Sequence, residues 1–127
     1  MDKNSFSFRA SQYGSGEYIT EVDGIKIDIS ENNFSDEKIA FAEKLIAIYP
    51  TKLPALAKFC MESECFEACY PDETAETIME KLHLPTIKID SVGGTLTYCN
   101  HELDGEHLIG VEFVGLMDSF FSVGIDG

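Results

Sequence analysis

Basic residues are scarce in this chain of 127 residues: nine lysines and arginines stand against 23 acids, a formal charge of −14. None lies beyond Lys88. None lies between Cys60 and Glu80, a stretch that holds Glu62, Glu64, Glu67, Asp72, Glu73 and Glu76. Nucleic-acid binding needs cations to displace counterions from phosphates, so the composition argues against that class. It argues against an anionic membrane surface for the same reason. No run approaches the roughly 18 apolar residues of a membrane-spanning helix. The opening Met-Asp-Lys-Asn-Ser-Phe-Ser-Phe-Arg lacks the apolar core of a secretory leader. There is no Gly-x-Ser-x-Gly nucleophile elbow. Gly14-Ser15-Gly16 lacks the Gly-Lys-Ser/Thr ending of a phosphate loop and is followed by Glu17, so it reads as a turn. Repeats, low-complexity tracts and Pro/Gly/Ser linkers are missing too, which leaves one domain over residues 1–127.

What is present is ordinary globular material, 44% hydrophobic and 25% charged. A domain of this length buries roughly two-thirds of its unfolded surface and needs no staple. The four cysteines, Cys60, Cys65, Cys69 and Cys99, are expected as reduced, mostly buried thiols of a cytoplasmic protein. Asp-Gly at 23–24 lies between two strand-like runs, Glu17–Val22 and Ile25–Ile29. A two-residue turn there pairs Val22 with Ile25, Thr20 with Ile27 and Tyr18 with Ile29. Phe6 and Phe8 alternate with polar neighbours in a short first strand.

The middle third is helical. Ser35 caps a helix whose apolar residues are Ile39, Ala42, Leu45, Ile46 and Tyr49, and Pro50 is expected to end it. Thr51 caps a second, with Pro54 in its first turn and a stripe running from Leu53 to Ala68. Asp72 caps a third, closed by Leu84-Pro85. Strands follow: Ile87 and Ile89, a turn at Gly93-Gly94, Leu96 and Tyr98, a polar loop from Asn100 to Glu106, then Ile109 to Phe113. Gly115–Ser119 forms the last turn before Phe121, Val123 and Ile125. The expected fold is α+β: antiparallel sheet from N-terminal and C-terminal hairpins, with a central three-helix segment on one face, in the order βββ–ααα–ββββ. Of Phe120 and Phe121, alternation sends one ring inward and one outward, and an outward Phe120 is a candidate contact residue.

The densest group of chemistry-bearing side chains is Cys99, His101, Glu102, Asp104, Glu106 and His107. Imidazole, carboxylate and thiolate are zinc's ligand types, but this spacing matches no standard zinc pattern. Cys65 and Cys69, one helical turn apart, are a candidate second pair of ligands. The loop also lacks the alternating acids and fixed glycine of a calcium-binding EF-hand. Cys99 and His101 share a strand face at i and i+2, which places a thiol near a base as any Cys-x-His does.

Leu96-Thr97-Tyr98, Leu103–Ile109, Gly110–Phe113 and the ending Val123-Gly124-Ile125-Asp126-Gly127 resemble a group of small bacterial α+β domains of unknown function. In that group a Gly-x-His step, here Gly105-Glu106-His107, leads into a strand, and a final strand ends in glycine. Some members are proposed immunity proteins or accessory binding domains. The chain departs from the group in lacking a tryptophan near the first strands and in an apolar Val114–Ser119 turn. The resemblance highlights His107, read as a strand-start histidine hydrogen-bonded to the preceding loop.

Two functions follow as expectations. The first is a non-catalytic binding module for a basic protein, in one version an immunity protein masking a basic toxin. Its surface would be Glu62, Glu64, Glu67, Asp72, Glu73 and Glu76, and it would need no cofactor. The second is a metal-binding domain or metal-dependent hydrolase centred on residues 99–107, with His101, Asp104, Glu106 and His107 as ligands or base. A monomer fits either reading, as does a homodimer paired through an edge strand.

Overall fold

A computed structural model describes residues 1–127. Asp2 caps a 3-10 turn over Lys3–Ser5. The strands are β1 (Ser7–Arg9), β2 (Glu17–Val22), β3 (Ile25–Ser30), β4 (Thr86–Ile89), β5 (Gly93–Tyr98), β6 (Leu108–Val114) and β7 (Ser119–Asp126). The helices α1 (Asp36–Met61), α2 (Glu64–Cys69) and α3 (Ala75–Leu82) lie between β3 and β4. All seven strands form one sheet in sequential order. The class is α+β, as the composition and patterning imply. The sheet is not wholly antiparallel, however: β3 and β4 pair in parallel, with Ile27 opposite Ile87. Two parallel neighbours need a long crossover, and the helical segment supplies it.

The β2–β3 hairpin has the expected register, Val22 with Ile25, Thr20 with Ile27 and Tyr18 with Ile29. Asp23 and Gly24 take φ of 51° and 86°, the left-handed values such a turn demands. Ile25, Ile27, Ile29, Ile87, Ile89, Leu96, Tyr98, Ile109, Val111 and Phe113 form the sheet's contribution to a core of 22 buried residues. The helices contribute Leu45, Tyr49, Leu56, Ala57, Cys60, Phe66, Ile78 and Leu82. Each large side chain so buried contributes about 1.5–3 kcal/mol. Tyr49 on α1 and Tyr98 on β5 join hydroxyls at 2.5 Å, which satisfies both phenols inside the core. Burial pushes the Tyr49 phenol up to about 12.

Three local expectations are corrected. Pro50 does not end the first helix. α1 runs on through Pro50 and Pro54, and the break falls at Glu62-Ser63, where Ser63 caps α2. Both prolines sit on the exposed side, while Leu45, Tyr49, Leu56, Ala57 and Cys60 keep one buried stripe across them. Burial of that stripe outweighs the missing hydrogen bonds. The third helix is capped by Thr74 rather than Asp72. Gly93 and Gly94 belong to β5, not to a turn. The turn is made by Asp90, whose Oδ1 accepts the amides of Val92 and Gly93 at 2.9 and 2.8 Å. The glycines answer close backbone approach instead. A Cβ at Gly93 would overlap the Phe113 carbonyl, and one at Gly94 the Lys88 carbonyl.

Candidate functional site

The loop from Cys99 to His107 spends its polar groups on itself. His101 is only 7% exposed. Its Nδ1 accepts the Leu103 amide at 3.1 Å and its Nε2–H donates to the His107 carbonyl at 2.7 Å. Both ring nitrogens are therefore committed, so neither is free to activate Cys99. Asp104 is the loop's clasp. Oδ1 accepts the amides of Glu106 and His107, each at 3.0 Å. Oδ2 accepts His107 Nδ1–H at 2.8 Å and the Tyr70 hydroxyl at the end of α2. The Tyr70 hydrogen bond, then the amides and His107, hold the Asp104 carboxyl well below the usual carboxylate range. Burial and that same carboxylate push the Tyr70 phenol up. Glu102 meets His83 at 2.8 Å, and Glu106 is exposed. No three His, Cys, Asp or Glu side chains converge so as to hold a metal ion. The lone pairs a metal would use on His101 and Asp104 accept protein hydrogen bonds instead. His107 has the strand-start role expected of it.

The thiols are free and less buried than expected. Cys60 lies in the core, where burial pushes it up to about 12, while Cys65 is half-buried and Cys69 and Cys99 are exposed.

The six acids of the expected binding surface lie in different settings. Glu73 is half-buried and ion-paired with Lys81. Glu67, Asp72 and Glu76 are exposed on α2, the turn after it and the start of α3. Glu62 and Glu64 flank a groove of about 520 Å³ between the end of α1, the start of α2 and β7. Phe59, Cys65, Phe121 and Val123 also line it, and no basic residue does. Here the sequence expectation for the paired phenylalanines is reversed. A β-bulge between β6 and β7 sets Phe120 opposite Phe113 and leaves Phe121 unpaired. Phe120 turns in toward Phe59, centroids 6.1 Å apart, and Phe121 is 57% exposed at the groove.

A second polar centre, absent from the sequence reading, lies on the sheet face away from the helices. Arg9 faces Glu17, Glu21 faces Lys26 and Asp28 faces Lys88 across neighbouring strands. Opposite charges at directly opposed positions stabilise a sheet. Asp28 is the exception to a simple ladder. It is 9% exposed, and its Oδ1 has no hydrogen-bond donor. It borders a depression of about 550 Å³ with Arg9, Lys26 and Thr86. Burial, then the neighbouring Glu17 carboxylate, pushes the Asp28 carboxyl up to about 7, against the pull of Lys88 and Arg9. Glu17 moves down, through its neighbours Asp28 and then Arg9, whose guanidinium donates to it at 2.7 Å. The shared proton belongs on Asp28, the more buried partner and the one without an arginine. Alternation in Ile25–Ile29 was the available signal for its face. Its neighbours come from strands distant in sequence.

No known protein family, curated protein or solved structure matches the chain. No helix is long and apolar enough to cross a membrane.

Proposed function

We propose that the chain is a non-catalytic protein-binding domain for a basic partner, acting in the cytoplasm as an immunity protein acts on a basic toxin. The observation that carries this reading is the exposed Phe121 ring in a groove rimmed by Glu62 and Glu64 and by no cation. An aromatic anchor ringed by one sign of charge combines desolvation with steering. The formal charge of −14 extends that attraction beyond contact distance. The engaged hydrogen bonds of His101 and Asp104 support a structural loop and lend nothing to a hydrolytic reading.

The test is affinity for the cationic proteins retained from lysate of the source cells, each purified and titrated at low and high salt. Charge reversal at Glu62 and Glu64 is expected to slow association about tenfold at low salt, and Phe121→Ala to speed dissociation about tenfold. Binding unchanged by all three substitutions would place the partner surface elsewhere and sink this reading.

A further inference from the structure

We infer that the partner binds by strand addition: a cationic, extended segment pairs its backbone with the outer edge of β7 and lays its side chains against Phe121, Glu62 and Glu64. This inference rests on the binding function proposed above and specifies its geometry.

β7 is one of two edges of the sheet, and at eight residues it is the longest strand. The opposite edge, β1, has three residues. Edges are commonly guarded by lysine, proline or shortness, and Ser119–Asp126 has none of these. Its guards are the bulge at its start, which also turns Phe121 out to the groove, and α2, whose Cys65 thiol reaches the edge at Val123. The outward backbone groups of this edge fall in a specific register. Cys65 Sγ donates to the Val123 carbonyl at 3.6 Å from α2. Val123 therefore directs its backbone away from β6, and Ile125, two residues on, does the same. Their amides have no strand partner. A thiol is a weak donor, so an incoming backbone N–H replaces it at Val123 with little loss.

Charge selects the occupant. A second copy of the chain would bring its own Glu62 and Glu64 against the same two acids, so self-pairing is opposed. A foreign strand bearing lysine or arginine meets both acids favourably, and an apolar side chain beside them fills the space between Phe59 and Phe121. Main-chain hydrogen bonds supply affinity in such additions, and alternate side chains supply specificity.

The probe is a synthetic ten-residue peptide alternating lysine with valine and phenylalanine. Its control is the same peptide N-methylated at alternate amides, with equal charge and side chains but unable to pair. Hydrogen exchange of the intact protein is read residue by residue at up to millimolar peptide. The expected result is at least about tenfold slower exchange at Val123 and Ile125 with the unmodified peptide alone. Val123→Pro removes one outward donor and is expected to weaken binding about tenfold, with Val123→Thr retaining it if the proline variant misfolds. Equal binding of both peptides, weakened by Glu62→Lys with Glu64→Lys, would overturn strand addition and leave the binding function standing. No protection at millimolar peptide would also overturn it. Protection that appears with rising protein concentration and no peptide would make a second copy the occupant and overturn the choice of partner.

Discussion

Asp28 ties stability to pH in a direction opposite to that of an ion-paired carboxylate. Its folded value near 7 lies above the ordinary aspartate range, so the folded state holds the proton more tightly than the unfolded chain. Its contribution is present in full below the unfolded value and is lost as pH rises through 7. Glu17, lowered by Asp28 and Arg9, contributes in the other sense and loses its share only in acid. Thermal unfolding followed from pH 5 to pH 8.5 is expected to show declining stability over that window. Asp28→Asn keeps a donor toward Glu17 and cannot ionise. It is expected to be nearly neutral at pH 5 and stabilising by about 1–2 kcal/mol at pH 8.5. Equal effects at both values would remove the shared proton from the account. Residue-level chemistry of this kind was the least legible part of the sequence. His101, Asp104 and His107 stand close together in the chain, a spacing that suggests ligands, yet the structure spends them on a loop. Asp28, Glu17 and Lys88 meet only because three strands align.

Elements were more legible where short-range physics decides them. Asp23-Gly24 dictates the hairpin and its register with no tertiary help. Pro50 alone implies a helix end, but the buried stripe on either side of it outweighs that local cost. α1 is expected to be stabilised by Pro50→Ala, by about 1–3 kcal/mol in denaturant unfolding, since the exposed site regains a backbone donor. A loss of stability would mean that the proline shapes the helix to the sheet. The strand glycines divide into two kinds that sequence does not separate. Gly94→Ala forces a Cβ into the Lys88 carbonyl and is expected to cost about 3 kcal/mol or more. Gly124→Ala, on β7, meets nothing within 4 Å and is expected to gain about 0.5–1 kcal/mol. If the two substitutions had similar effects, close approach would not be the reason for Gly94.

On the scale of the whole molecule, charge is distributed by face. Arg9, Lys26 and Lys88, three of the nine cations, are matched with acids on the open sheet face. The stretch from Met61 to Met79 has acids and no cation. Self-repulsion at −14 opposes compaction, so raising salt from about 20 mM to 500 mM is expected to raise Tm by a few degrees. A falling Tm would mean that the cross-strand ion pairs outweigh the repulsion. Composition conveyed the class of fold and the sign of the charge. It carried no information on which acids converge, because the bulge and the break at Ser63 are settled by packing.

The parallel contact of β3 with β4 gives the sheet a seam. On either side of it, each strand follows its neighbour through a short turn or loop, so β1–β3 and β4–β7 are built from local antiparallel pairings, which as single hairpins form in about 1–10 μs. The seam alone joins strands separated by all three helices, Ile27 meeting Ile87 only after residues 31–85 have been gathered in. Loop closure over that distance is the entropic obstacle of the fold. Folding should therefore run as two preformed ribbons awaiting a helical clamp. Substitutions at Ile27 or Ile87 should speed unfolding, whereas those that weaken the Asp23-Gly24 turn should slow folding.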